Sequence, residues 1–481
     1  MKSPIMGGSY VARSVNAACD RMVNLFAEAI EEGGNEAAFM NRAPCISLLA
    51  TVGNGPIRGL WKLDSQPYLY VVSGNELYKI DASYNETLIG SVTGSSLVSM
   101  ADNGTQIFIA NGVNSYIYNT STGAFGQITD PDFTSAKTVS FLDSYFVYTE
   151  LNSQKLWITA LLDGTSIDPL DFSSAEGSPD YLVGGISDHR EYWAFGTNST
   201  EVYYNSGTGD FPLQRIQGAF NEVGCLSAYS ICKMDNSIVW LGSDDRGQGM
   251  VYRADGYIGQ RISTHAVEYK IAEYARTSRI DDAVAYTYQQ EGHIFYVLTF
   301  PTADATWVYD AATKLWHERG SWVNGAFKRH RGQCHVMFNG VSIVGDYENG
   351  NLYQLSLNTY SDSVGTQRCL RAWRALGTGQ NNFKRSIHHS LELRVESGVG
   401  LSTGQGEDPQ VCLRFSDDGG HTWSNENWRS IGRIGEYGNR VIWRRLGMSE
   451  KLRDRVYEVS FTDPVKLVIT GAELSVEETR A

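Results

Sequence analysis

Leu69-Tyr70-Val71-Val72-Ser73-Gly74 returns 38 residues further on as Ile107-Phe108-Ile109-Ala110-Asn111-Gly112. In each copy an apolar strand ends in a polar residue and a glycine. A second strand with a central tyrosine follows (Glu76 to Ile80, then Ser115 to Asn119), and a third closes the unit (Thr87 to Val92, then Ala124 to Ile128). Short strands recurring at this length point to a radial β-repeat, whose units bury their faces only by packing against their neighbours.

The unit recurs with varied loops. Tyr145 to Tyr148 with Leu156 to Ile158 reads as a third hairpin, Tyr192 to Gly196 with Glu201 to Tyr204 as a fourth, and Ile238 to Gly242 with Met250 to Arg253 as a fifth. Ile294 to Leu298 with Trp307 to Asp310 gives a sixth, continued by Lys314 to His317, and Val341 to Gly345 with Asn351 to Leu355 a seventh. One aromatic residue marks the same place in each: Tyr78, Tyr118, Trp157, Tyr203, Tyr252, Tyr309 and Tyr353, spaced 39 to 57 residues apart. This predicts a six- or seven-bladed β-propeller over residues 55–364. The last unit lacks an evident fourth strand, so the segment 1–54 is expected to act as an arm that closes the ring. Within that arm the pattern admits two readings, an extended chain or a helix from Cys19 to Glu32 with Met22, Leu25, Phe26 and Ile30 on one face. Inside the propeller, Val267, Ile271 and Tyr274 predict one packing helix over His265 to Arg276, inserted between blades.

From about Thr366 the strands lengthen and alternate strictly. Ser390 to Glu396, Gln410 to Phe415, Val456 to Phe461 and Val465 to Ile469 predict an antiparallel β-sandwich over residues 365–481. The chain is therefore all-β, with a propeller followed by a sandwich.

Composition narrows the function. The formal net charge is -14, and it is divided unevenly: 17 Lys+Arg against 15 Asp+Glu from Thr366 on, and 23 against 39 before it. So acidic a propeller argues against general affinity for phosphates. Seven cysteines without C-x-x-C spacing read as reduced thiols of a protein folded in a cytosol. Met1-Lys2-Ser3-Pro4 does not read as a signal peptide, and no apolar run is long enough to span a bilayer, so no membrane insertion by this chain is expected.

Few motifs carry chemistry. Ser416-Asp417-Asp418-Gly419-Gly420-His421-Thr422-Trp423 fits the Asp-box pattern S-x-D-x-G-x-T-W. Its Ser416, Asp418, Gly420, Thr422 and Trp423 read as a structural turn, Asp418 accepting from amides of its own loop, Gly420 taking a positive φ and Trp423 packing beneath. Carboxylate pairs for glycoside hydrolysis can be drawn from Asp180, Asp188, Glu201 or Glu222 with equal ease, so none is singled out. His388-His389 point to opposite faces of a strand, and His330 to His335 lacks zinc spacing. No Walker loop, G-x-S-x-G or dinucleotide fingerprint occurs. The sequence thus supplies no catalytic, cofactor or metal residues. Basic residues do gather, at Arg368, Arg371, Arg374, Lys384 and Arg385, and again at Arg440, Arg444, Arg445, Lys451, Arg453 and Arg455. Of these, Arg440, Arg444, Arg445, Arg453 and Arg455 are candidates for contact with a partner surface or with passing DNA, acids such as Glu450 and Asp454 lying between them.

Several stretches resemble the packaged-DNA stabilisation proteins, the tail hub or nozzle family of short-tailed bacteriophages. They are Gly8-Ser9-Tyr10 through Asn16, Val23-Asn24-Leu25-Phe26, Gly55-Pro56-Ile57-Arg58-Gly59-Leu60, Val72 to Tyr78, Val98 to Gly104, and at the far end Asn439 to Gly447 with Asp463-Pro464-Val465. Arg42-Ala43-Pro44-Cys45 departs from the Pro-Gly turn of such relatives. The resemblance implies a virion protein of the tail, assembled in the host cytoplasm as a homo-oligomeric ring of six below the portal-adaptor complex. It further implies retention of packaged DNA, extension of the ejection channel, transient contact with genomic DNA, and anchoring of tail fibres, tailspikes or a needle. No catalytic residues or cofactors belong to that role. An acidic channel wall would give phosphates no foothold as the genome leaves. The alternative is a glycan-binding or glycan-hydrolysing tail propeller, sialidase-like or a depolymerase.

Overall fold

The structure, a computed structural model, describes residues 1–30, 38–207, 211–243, 249–377, 384–449 and 454–479. Among these residues seven blades stand around one axis. Blade 1 runs from the axis outward as Ile57–Lys62, Leu69–Ser73, Glu76–Ile80 and Glu86–Ser91, each strand antiparallel to the last. Blades 2, 3 and 4 repeat it from the inner strands Ser99–Asp102, Val139–Leu142 and Leu182–Asp188. Blade 5 has a split inner edge, Gly224–Cys225 and Cys232–Met234, while blades 6 and 7 start at Val284–Gln290 and Gly332–Phe338.

The seven aromatic markers all lie on the third strand of their blade, and all are buried. Their burial comes from stacking between blades. Val72 and Tyr70 of blade 1 pack on Ile107 and Tyr118 of blade 2, and Phe108 of blade 2 on Phe146 and Tyr148 of blade 3. A hairpin that cannot cover its own face is thus covered from both sides. The described helix, His265–Thr277, begins at Thr264, whose side chain caps Val267 N, and buries Val267 and Ile271 between blades 5 and 6.

The ring is closed by an early strand. Cys45–Thr51 pairs antiparallel with Asn351–Ser356 as the outer strand of blade 7, with Ile46 fully buried against Tyr353 and Leu355. Residues before Cys45 belong to the other unit. Cys19–Val23 runs beside the outer strand of blade 6, Leu315–Glu318, and pairs on its other side with Cys369–Arg374. The sheet of blade 6 therefore continues into the sandwich through Val456–Phe461, Gln410–Ser416 and Asn427–Ser430. The facing sheet is Leu25–Ala29, Ala38–Arg42, Val468–Glu478, Ser386–Val395 and Val441–Met448. Trp373, Trp443, Tyr457, Leu391 and Leu413 fill the space between the two. Three of the sandwich strands thus come from the first 42 residues, and Ala43-Pro44 is the passage from one unit to the other.

Two sequence expectations change. A helix from Cys19 does not form. Cys19–Val23 and Leu25–Ala29 are strands in opposite sheets, divided at Asn24, whose φ of 55 breaks any regular run and whose side chain donates to Gly320 O and Arg368 O at 2.8 Å. The helix-like spacing arises because Met22, Val23, Leu25 and Phe26 are buried on both faces. The strand expected at Val465 begins instead at Val468. Pro464 and the Val465 N–H, which donates to Asp463 O, turn the chain there, and the alternation of Val465 and Leu467 reflects a turn tucked into the core.

Candidate functional site

Three places combine polar chemistry with access: the outer edge of the sandwich, the Asp-box turn, and the propeller axis. At the sandwich edge Val441–Met448 is the last strand of its sheet and carries Arg444 and Arg445 exposed. A register shift opposite His388/Ser390 accompanies a positive φ of 60 at Arg445. Such irregularity and charge blunt an open edge against pairing with another strand. Arg440 holds Glu392 through both carboxylate oxygens, at 2.8 and 2.5 Å, and that contact keeps the Glu392 carboxyl below its ordinary range. Arg455 is not at this surface. It is buried, with both Asp417 oxygens at 2.7 Å, a further bond to Leu446 O and the Phe415 ring 4.2 Å away, so it ties sandwich strands together and offers no contact to a phosphate. Arg453 and Lys451 lie outside the described residues. Of the other basic group, Arg371 is buried, donating to Ile5 O, Gly8 O and Arg21 O, and serves the core.

The Asp-box turn links Gln410–Ser416 to Asn427–Ser430. Asp418 accepts from Ser416 Oγ at 2.6 Å, Thr422 Oγ1 at 2.6 Å and the amides of His421 and Thr422 at 2.9 Å, and these bonds hold its carboxyl well below the usual carboxylate range. Gly419 and Gly420 both take positive φ, 80 and 103. The turn faces the amino-terminal loop: a Cβ at Gly419 would overlap Asn16, whose carbonyl oxygen accepts from Arg374. Trp423 packs against Val23, Leu370 and Ala372 with the Arg414 guanidinium 5.0 Å from its ring. Every polar atom named in the turn is occupied within the turn itself.

Along the axis, the inner strands of all seven blades enclose a cavity of about 660 Å³. Tyr229, carried on the short turn Ala228–Ser230 of blade 5, lines it, and its hydroxyl donates at 2.7 Å to Leu97 O of the segment leading into blade 2. Lys137 Nζ stands 5.1 Å from the Tyr229 ring. Arg58, buried beside it, donates to Ser96 O, Gly74 O and Val92 O at 2.6 to 2.9 Å, and burial draws its pKa down. No local pattern marks Tyr229, because its partner comes from another blade, whereas Arg58 bonds Gly74 O and Val92 O of its own blade and Ser96 O on the passage to blade 2. The carboxylates weighed for hydrolysis have local duties. Asp180 accepts from Asn198 N and Ser199, Glu201 from Gly177 N and Tyr203 OH, and Asp188 pairs with His189. His388 is buried between Ser386 and Tyr457 while His389 meets Glu477 outside. Among the described residues no group of three or more His, Cys, Asp or Glu is placed to hold a metal ion, and no helix is long and apolar enough to cross a membrane.

Two family profiles match the chain. One, described as the beta-propeller of Bacteriophage P22 Gp10, covers residues 1–360; the other, described as the beta-sandwich of the same protein, covers residues 375–477. No curated protein matches. Solved structures with some likeness include the N-terminal domain of Nup159 (9% identity, TM-score 0.40, covering 68% of this chain and 97% of that one) and a chain of the mitotic checkpoint complex (11%, 0.41, 68% and 99%). A third is YCF48 bound to D1 peptide (11%, 0.38, 69% and 97%). Similarity at that level assigns nothing to this chain.

Proposed function

The chain belongs to the Bacteriophage P22 Gp10 family of structural tail proteins that stabilise packaged DNA, and on that premise we propose that six copies form a ring beneath the portal-adaptor complex. In this role the ring retains the packaged genome, prolongs the ejection channel and anchors tail fibres, tailspikes or a needle. The observation that carries the reading is that both profiles match in chain order, 1–360 and then 375–477, so the likeness extends to the whole architecture and not to a propeller alone.

The axis of the propeller supports an oligomer independently. A duplex is wider than its own major groove of about 12 Å, whereas the axial cavity holds about 660 Å³ and is lined by side chains of all seven blades, Tyr229 among them. We therefore place a conduit for DNA between copies. The acidic balance of the residues before Thr366 suits such a wall, since like charge gives the phosphates no sites to hold.

The test is mass photometry of the purified protein, alone and mixed with portal-adaptor complexes, paired with packaging in particles that lack it. Six copies per complex and leakage of packaged DNA without them are expected. Monomers that never join the complex, or particles that keep their DNA in its absence, would overturn the reading.

A further inference from the structure

We propose that neighbouring copies meet head to tail, the outer edge of the sandwich of one copy docking on the blade 3 rim of the next. This inference rests on the ring reading above and assigns the surfaces that would make it. The two surfaces differ in charge and share an apolar component.

The rim surface is the excursion between Lys155–Ile158 and Phe172–Ser174, the third and outer strands of blade 3. It exposes Leu161, Leu162 and Leu170, the last 74% accessible, beside Asp163 and the exposed Asp168. Single exposed leucines are ordinary, but three on one loop are not explained by the fold of the chain. The loop itself carries Asp163, Asp168 and Asp171 and no cation, the nearest being Lys155 on the strand before it. That lysine lies 4.0 Å from the Phe172 ring, and the next cation along, Arg190, is engaged by Asp143. A cleft of about 390 Å³ opens next to the loop, bounded by Thr165 and by Ile117 and Phe125 of blade 2.

The sandwich surface is the pair of edge strands Asn427–Ser430 and Val441–Met448, held together by Arg429, which donates to Ile442 O at 3.1 Å. From Asn427 to Met448 there are five arginines and one acid, Glu436, but Arg440 is held by Glu392 and Arg433 lies 3.8 Å from Glu407, so Arg444 and Arg445 carry most of the charge of the edge. Arg440, Arg444 and Arg445 stand among the exposed Trp428 and Met448, and Ile434 and Tyr437 are exposed at the end of the same strands, Tyr437 at 77%. Arginine alone would serve to keep an edge from pairing. Exposed Trp and Tyr beside Arg is the composition enriched in protein interfaces.

Placement gives the contact its direction. The sandwich continues the sheet of blade 6, and Asn427–Ser430 is the strand of that sheet furthest from the axis. Blade 3 stands three blades away on a ring of seven, close to the opposite side. One patch meeting a different patch on the next copy is a heterologous contact, which makes a ring when the rotation between successive copies closes. Opposite charge steers the encounter, and the apolar groups fill the contact.

The experiment uses two variants of the full chain: Arg444→Glu with Arg445→Glu at the edge, and Asp168→Lys with Leu170→Lys at the rim. Mass photometry is run on each alone and on an equimolar mixture, with and without portal-adaptor complexes, with the wild type alongside. Each variant alone is expected to lose lateral assembly by at least tenfold. The mixture is expected to stop at dimers, because only one edge and one rim remain intact in each pair. Melting curves check folding, and Arg444→Gln with Leu170→Ser provide milder versions should the first pair prove unstable. Wild-type rings that form equally well from the variants would overturn this assignment while leaving the ring standing. A wild type that stays monomeric in both conditions would overturn both.

Discussion

Arg21 grips Glu318 through both carboxylate oxygens, Nε to Oε1 at 3.0 Å and Nη2 to Oε2 at 2.5 Å, and so ties an amino-terminal strand to the outer strand of blade 6. The pair sits where the propeller sheet passes into the sandwich. Its side chains are partly solvated, so its worth is modest despite the good geometry. A double-mutant cycle of Arg21→Ala and Glu318→Ala is expected to return a coupling of about 1 kcal/mol in urea unfolding. A coupling of zero would show that backbone pairing alone holds the junction.

The closing strand is expected to matter more. Ile46 is fully buried in the cluster that joins blade 7 to blade 6. Ile46→Ala should cost about 2–5 kcal/mol, the usual range for a large-to-small change in a packed core. Thermal melts would read it as a lowered midpoint, and a change below 1 kcal/mol would mean that the ring stays shut without this contact.

Acid should destabilise the protein before its carboxylates titrate. Burial pushes His335 down to about 4 and His330 and His388 to about 3, and holds His317 well below its ordinary value. Each is neutral in the fold yet binds a proton when unfolded, so its contribution is complete above about pH 6.5 and declines as pH falls, by up to about 1.4 kcal/mol per unit. His293, raised by Asp310, and the exposed His189, raised by Asp188, act in the opposite sense and are two against four. Melting midpoints should therefore drop between pH 7 and pH 5; a flat profile would contradict the burial of these rings.

Asp362 carries the reverse sign. Burial raises its carboxyl to about 6, while its Oδ1 accepts from Ile46 N at 2.9 Å. The charged form is disfavoured in the fold, so the penalty is absent below about pH 4 and grows as pH rises through 6. Asp362→Asn, which keeps the acceptor, is expected to raise the melting midpoint at pH 8 and to leave it unchanged at pH 4.

Gly419→Ala tests the link between the Asp-box turn and the amino-terminal loop. A left-handed alanine costs about 1–2 kcal/mol by itself, and its Cβ would also overlap Asn16. Asn16→Gly in the same chain should restore part of the loss. If it restores none, the two loops do not bear on one another in solution.

Much of this architecture was legible because it repeats. Tyr78, Tyr118 and the markers that follow sit at one register position, and periodicity exposes them without knowledge of their partners. The sandwich was legible from alternation at Gln410–Ser416 and Val456–Phe461, and the Asp-box from its local spacing. What stayed hidden depends on distant partners. Cys19–Val23 and Leu25–Ala29 bury both faces, which erases the alternation that marks a strand, and Asn24 between them is where the chain passes from one sheet to the other. Arg455 looked like its neighbours Arg444 and Arg445 because composition does not register that Asp417 lies across from it. Tyr229 had no pattern at all, its partner being 132 positions away.

The strand that closes blade 7 has a consequence for biosynthesis. Cys45–Thr51 leaves the ribosome before any blade exists, and its partner Asn351–Ser356 is made only after all the others. Until then six blades and an open flank must persist without closure, a high-contact-order arrangement that folds slowly and exposes strand edges on the way. A nascent chain that breaks off early can fold blades but cannot latch. A chain that stops before Asn351 therefore lacks the strand with which Cys45–Thr51 pairs, and its ring has no way to shut.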